Sequence, residues 1–491
     1  MQQYRVLGAV AFAVVIVGCS ESQPTVSTAT GLEAPRTAKS APSVQLLVNV
    51  SNDTTAQNET PVAVNPLDNQ NFITGGNDWN YNDGCSVNAT VDGGKTWTKT
   101  LPDGFIPGIT KYTNDPGVAG TGNYDFGGDP TIAFGPDGAA YYACFGYQAS
   151  SPFGVVLLLN RSYDGGRTWL KGDAAHPLTS VTSFQGNGKA RGSNGQFGDH
   201  EAMTVGSDGT IYLTWAQFHG GGSNSPVYVA TSSNNGASFG PPVKVTSGTT
   251  RSDQDQRIVT NGDGSVAYLV FDNSIQGGKG TAMFVSRSAD RGQTWSTPVQ
   301  LGNFSNPVCL FPPYCFNIKG GQFRGPGTYP APAFNNANNR LYVAYADIIG
   351  GQAKIFITSA SASNLAAWTT PEVVAPVASG DRFACEMSIA PNGRIDMSFF
   401  DRSYSGNSLV DVTYAGSSDF GATWQSTRVT RSGYDPSQYG VPFGSSVSPF
   451  IGDYNGIVSL PGSAAMTWTG PGKTYGTLPT NLEIYFGSVI P

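Results

Sequence analysis

The chain has 491 residues, a formal net charge of −7 and only 12% charged side chains, against 63 glycines, 22 tyrosines and 26 phenylalanines. An acidic, charge-poor chain offers no basic surface for nucleic acid. Its composition fits an exported all-β protein with many turns.

Residues 1–18 carry one positive charge, Arg5, and then an apolar run from Val6 to Val17. The run is too short to span a bilayer as a mature helix and reads as a secretory signal. Ile16-Val17-Gly18-Cys19 looks like a bacterial lipobox, with a small residue before the Cys and a Ser/Thr/Pro-rich stretch after it. That likeness implies that Cys19 becomes the lipidated first residue of the mature protein. Residues 19–43 read as a flexible tether. The expected location is the bacterial cell envelope, extracytoplasmic, with the N-terminal lipid as the membrane contact.

An eight-residue phrase then recurs: Thr90-Val91-Asp92-Gly93-Gly94-Lys95-Thr96-Trp97, Ser162 to Trp169, Ser288 to Trp295 and Ser417 to Trp424. Its Asp can accept hydrogen bonds from backbone N–H groups of its own loop, and its Trp suits a seam between two packed sheets. Worn copies run from Ser232 to Phe239 and from Ser361 to Trp368. Spacings of about 55 to 75 residues mark a repeat architecture. The phrase resembles the Asp box, or BNR repeat, of the sialidase-like β-propellers, over nearly all of the chain after residue 43. The resemblance implies a box on the outer turn of each blade, on the face away from the active site.

Between the boxes a second unit recurs, made of a short strand, a tight turn and a strand ending in aromatic residues. It runs from Pro130 to Phe145, Glu201 to Ala216, Gln256 to Phe271, Pro330 to Ala346 and Cys385 to Phe400, with looser copies at Thr60 to Pro66 and Ile457 to Thr469. Their Asp-Gly and Asn-Gly pairs are hairpin turns. Seven units predict an all-β, seven-bladed β-propeller of four-stranded antiparallel blades, occupying residues 44–491 as a single domain and a monomer. The alternative is six-bladed, with the first or last unit serving as closure. The last unit has one further strand, Leu482 to Phe486, so Val44 to Val50 is expected to supply its missing outer strand.

Cys309 and Cys315 flank a five-residue loop and could close it as a disulfide, which suits an oxidising compartment. Cys85, Cys144 and Cys385 leave an odd number, so at least one buried free thiol is expected, and nothing in the spacing suggests structural zinc.

Strand order puts the A–B turns and the Asp boxes on one face. The starts of the first strands and the ends of the second strands share the other, where function is expected. Asp78, Asp272, Asp347 and Asp401 end second strands, while Glu59, Asp129, Asp199, Glu201, Asp255, Glu386 and Asp453 stand near the starts of first strands. Such a mouth could supply a raised-pKa acid, hold Ca²⁺ in place of any other cofactor, or attract a polyhydroxylated ligand. Arg257, Arg382, Arg402, His200, His219 and Tyr454 share that face.

Sialidases of the resembled family hold the substrate carboxylate with arginines and use a Tyr, activated by a Glu, as nucleophile beside an Asp acid/base. Carried onto this chain, the resemblance implies Asp401, Glu386, Tyr454 and Asp78 as the catalytic group. Arg402, Arg382, Arg257, His200, His219, Asp272 and Asp347 would bind the glycan. The family's first arginine has no counterpart in Asn58-Glu59-Thr60-Pro61-Val62. The expected function is an exo-glycosidase of the exo-α-sialidase type acting on a glycan or glycoconjugate. The alternative is a non-catalytic propeller that binds a glycan or protein, and a lyase using His200 or His219 as base is third.

Overall fold

Seven hairpin-linked antiparallel sheets follow one another along the chain, as the seven repeat units require. The computed structural model of the protein describes residues 40–491, apart from 53–54, 80–83, 100–104, 114, 116, 149–153, 186–195, 220–223, 247–251, 274–280, 305–315, 319–320, 324–327, 444–445 and 473–480. Cys19 and the Cys309/Cys315 pair lie outside the described residues.

Blade 1 runs from its split inner strand, Gln57–Asn58 and Val62–Asn65, through Asp68–Asp78 and Gly84–Thr90 to Thr98–Lys99. Blade 2 comprises Phe126–Phe134, Ala140–Gln148, Gly154–Ser162 and Thr179–Gln185. Blade 3 comprises Gln196–Val205, Ile211–His219, Val227–Ser232 and Val243–Lys244; blade 4, Gln254–Thr260, Ala267–Asp272, Thr281–Ser288 and Val299–Phe304. In blade 5 the strands Ala331–Asn335, Arg340–Ile349 and Gln352–Ser361 are followed by an outer strand in two pieces, Asn364–Trp368 and Glu372–Val373. Blade 6 is Arg382–Ile389, Ile395–Asp401, Asp411–Ser417 and Gln425–Arg428. Blade 7 takes Gly456–Ser459, Ala464–Pro471 and Leu482–Ile490 from the end of the chain, and its outer strand, Ser43–Asn49, from the beginning. The protein is therefore an all-β, seven-bladed propeller of four-stranded antiparallel blades. Closing the last blade with the first strand covers an edge that would otherwise expose unpaired N–H and C=O groups.

The second strand of each blade is buried on both faces because it lies between two neighbours. Tyr141, Ala143, Phe145, Leu157 and Leu159 of blade 2 pack with Ile211, Leu213 and Trp215 of blade 3. Each such large side chain removed from water contributes roughly 1.5–3 kcal/mol. Between blades 1 and 2, a disulfide joins Cys85 to Cys144, while Cys385 is a buried free thiol. Such a bond is a mark of an extracytoplasmic compartment.

The Asp boxes are self-contained turns. Asp92 Oδ1 accepts from the Lys95 and Thr96 amides at 2.9 and 3.0 Å, its Oδ2 accepts from the Thr96 hydroxyl at 2.6 Å, and Trp97 donates its indole N–H to the Gly94 carbonyl at 3.0 Å. Asp164, Asp290 and Asp419 repeat the hydroxyl bond. In the worn copy Asn234 keeps the amide bond, accepting from Ser238 N–H. The box is also a spacer. Gly166 has φ +86°, and a Cβ there would lie 2.3 Å from Ile73 of the preceding blade, so only glycine lets the turn seat against its neighbour.

Candidate functional site

The innermost strands of five blades share an irregularity that aims side chains at the mouth. Glu59, Asp129, His200 and Asp255, in blades 1 to 4, have φ of 60°, 58°, 54° and 58°, and Ala384 of blade 6 has 55°. The ladder shifts register at these points in blades 2, 3, 4 and 6. A left-handed backbone at a residue bearing a Cβ costs roughly 1–2 kcal/mol. Strain repeated at equivalent positions, four of the five occupied by acids and a histidine, is the pattern expected of a functional centre.

His200 is the hub. Its Nδ1 is 2.6 Å from Asp255 Oδ1, its Nε2 is 3.4 Å from Asp453 Oδ2, and its backbone N–H donates to Asp129 Oδ2 at 3.2 Å. Gln256 donates its side-chain N–H to the His200 carbonyl, and Tyr329 meets the imidazole edge-on at 5.2 Å. Burial alone would lower the imidazole's pKa, but Asp199, Asp255 and Asp453 outweigh it and hold the ring well above its ordinary range. Asp272 stands behind Asp255 as a further hydrogen-bond partner.

Two carboxyls reach the accessible surface of this cluster. Asp129 is pushed up to about 7 by burial and by the hydrogen-bonded Asp199 carboxyl, against the downward pull of His200. Glu386 is pushed up to about 7 by burial, with Arg257 and the Asn455 N–H pulling the other way. Its Oε1 is 3.9 Å from Arg257 Nη2, and both side chains are nearly a fifth exposed, at 19% and 18%. Tyr454 and its neighbour Asn455 adjoin both acids. Its hydroxyl donates to the Pro130 carbonyl, next to Asp129, at 2.9 Å, and the Arg257 guanidinium covers its ring at 5.2 Å. Asn77 links the remaining acid, donating to Glu59 Oε2 at 2.6 Å and accepting from the Asp129 N–H at 2.8 Å, while Glu59 Oε1 accepts from the Asp453 N–H.

Of the residues singled out in the sequence, Glu386, Tyr454, Arg257, His200 and, through Asp255, Asp272 come together here. The others have different engagements. Asp401 accepts from Arg382 Nε at 2.9 Å, from Thr413 Oγ1 and from the Ser403 N–H at 2.8 Å. Arg382 is thereby buried, and it also donates to the Ala375 carbonyl. Arg402 is buried on Asp381 and the Asn407 carbonyl. These two arginines staple the 375–382 and 402–409 connections of blade 6 and present no guanidinium to the mouth. Asp78 is buried, accepting from Thr55 and Gln57. Asp347 pairs with Lys354 in the second hairpin of blade 5, and His219 pairs with Gln196 at the end of its strand. Burial and Lys244 hold the His219 imidazole below its ordinary range.

Asp129, Asp199, Asp255 and Asp453 were visible as acids near first-strand starts, but their joint contact with His200 was not. The signal that marks them is an acid or His at the same position in consecutive units. Pro130 and Gln256 were visible only as the first residues of repeat units, and Asn77 and Tyr329 carried no signal. Among the described residues, no group of three or more His, Cys, Asp or Glu is placed to hold a metal ion. The acids face an imidazole, amides and backbone N–H groups instead, which does not fit the oxygen cage expected for Ca²⁺.

No protein-family model matches the chain, and no curated relative matches it in sequence. Among solved structures it is similar to an α-L-arabinanase of Penicillium chrysogenum complexed with arabinobiose, at 12% identity over 90% of this chain and 98% of that one, with a TM-score of 0.42. It is also similar to a GH93 α-L-arabinofuranosidase of Fusarium graminearum in complex with arabinobiose, at 11% identity, 76% and 97% coverage and a TM-score of 0.47. A PL25 ulvan lyase bound to -[GlcA(1-4)Rha3S]- gives 13% identity, 89% and 95% coverage and 0.49. These are distant structural similarities to carbohydrate-active propellers, and they assign no family.

Proposed function

We propose that the protein is a glycoside hydrolase acting outside the cytoplasm on a glycan, releasing terminal residues by carboxylate acid/base catalysis. The observation that carries this reading is that Asp129 and Glu386, two partly exposed acids each pushed up to about 7, both adjoin the Tyr454–Asn455 segment, through the Pro130 carbonyl and the Asn455 N–H. A catalytic acid and base work best with pKa values near the operating pH. Glu386 donates its proton to the glycosidic oxygen as the bond to the anomeric carbon breaks. Asp129 takes a proton from the water that attacks that carbon.

The charge of the site selects the sugar. Carboxyls outnumber His200 and Arg257, and Arg257 already faces Glu386. An anionic sialic or uronic acid residue would meet repulsion, so the substrate residue is uncharged. A tyrosine nucleophile, which serves anionic substrates, has no support in a Tyr454 whose hydroxyl is buried and committed to Pro130.

The signal-like segment 1–18, the tether 19–43 ending in one propeller domain, and lipidation at Cys19 belong to the same reading, as does a Cys309–Cys315 bond. The disulfide Cys85–Cys144 supports export. The test is to incubate purified protein with neutral, uronic and sialylated oligosaccharides. Release from a neutral glycan that Glu386→Gln abolishes supports the proposal. Saturable binding without release would make the protein a glycan-binding propeller instead.

A further inference from the structure

Within the hydrolase reading, on which this inference rests, the unused element is His200. Each of its ring nitrogens faces a carboxylate oxygen of another blade, Asp255 at 2.6 Å and Asp453 at 3.4 Å. Ionised carboxylates only accept, so a ring placed between two of them carries hydrogens on both nitrogens. Its own backbone N–H points at Asp129, whose carboxyl is hydrogen-bonded to that of Asp199, the residue before His200. Two carboxyls in mutual contact share one proton rather than ionising together.

We propose that His200 is a positioning residue: a permanent imidazolium, clamped by Asp255 and Asp453, that keeps the Asp129–Asp199 pair at one shared proton and so keeps Asp129 available as the base. The groups facing the imidazole and this pair are Asp129, Asp199 and Glu201 from blades 2 and 3, Asp255 from blade 4, Tyr329 before blade 5, and Asp453 and Tyr454 before blade 7. All but the two tyrosines are carboxyls, so His200 is the cation among them. Without it, the added negative charge is relieved by a second proton on the pair, and Asp129 is neutral at pH 7.

The variant of choice is His200→Asn, because Asn tolerates the left-handed backbone at this position. In the full-length ligand-free protein, ¹⁵N spectra of the three histidines will show one imidazole, absent in His200→Asn, with both nitrogens protonated at pH 8. A neutral tautomer at pH 7 overturns the proposal, and this measurement needs only the wild type to fold. In ¹³C-carboxyl titrations assigned with Asp129→Asn, the Asp129 midpoint will rise in His200→Asn by about one to three pH units. An unchanged midpoint in a folded variant overturns it too. With a cleavable glycan, the acidic limb of the kcat profile moves with that midpoint while KM holds. If no glycan is cleaved and both spectroscopic results stand, the hydrolase reading falls and the His200 assignment remains.

Discussion

Tyr454 donates its hydroxyl to the Pro130 carbonyl at 2.9 Å across 324 positions of sequence, and so ties its own segment to the strand that carries Asp129. One end of the side chain is beside Asp129, and the other adjoins the Asn455 amide that faces Glu386. Asp129 acting as base on a water, with no side chain bonding to the sugar, is the inverting arrangement of two carboxyls. The expected stereochemical outcome is inversion. An NMR time course of the first-formed anomer checks it, and retention would mean that a nucleophile bonds to the sugar.

Removing either acid should cost turnover and not folding. Glu386→Gln and Asp129→Asn are each expected to lower kcat by about 10²–10⁴-fold with the melting transition preserved, as for a lost general acid or base. Steady-state kinetics alongside thermal melts will separate the two effects. Wild-type rates in both variants would remove these residues from the chemistry.

The pH dependence follows from the same pair. Asp129 must be ionised, so activity falls below about 7; Glu386 must be protonated, so activity falls above about 7. The profile of kcat/KM should be a narrow bell near neutrality, without a plateau. A flat profile between pH 5 and 9 would be incompatible with the assignment.

Stability should respond to pH with two opposite signs. Asp129 and Glu386 keep protons in the folded protein that the unfolded chain has already released, so stability drops as pH rises from about 4 through about 7. Asp92 and Asp290 are held down at about 2 by hydrogen bonds from Thr96 and Thr294, so their contribution is present above about 4 and lost as pH falls through about 2. Melting temperatures across pH 2–8 should therefore peak on the acidic side of neutrality. Asp92→Ala, which breaks one exposed turn, should cost about 1 kcal/mol and leave the active face untouched.

Asp401 distinguishes a structural ion pair from a site. Asp401→Asn leaves Arg382 buried without its counter-charge, a loss of about 3–5 kcal/mol. Denaturant melts should show that loss, while kcat of the folded fraction stays near wild type. Breaking Cys85–Cys144 by Cys85→Ala with Cys144→Ala should cost about 4 kcal/mol, because the bond closes a long loop.

Much of this protein was written locally. The Asp box satisfies its hydrogen bonds within eight residues, and four hairpin turns declare themselves as Asp-Gly or Asn-Gly, so sequence alone yielded four-stranded blades, seven of them with six as the alternative, and the closure by the first strand. It also determined which face carries the acids, because strand direction alternates by rule. Tertiary structure decided which of those acids can act. Asp401 and Asp129 both read as strand-end acids. The fold gives Asp401 an arginine from the same sheet, and it gives Asp129 a second carboxyl and a histidine from the next blade. The physical reason is that a carboxyl's pKa and freedom are set by whatever lies within a few ångströms. Here those neighbours come from other blades, brought together by a bulged, left-handed backbone for which the chain carries no local code.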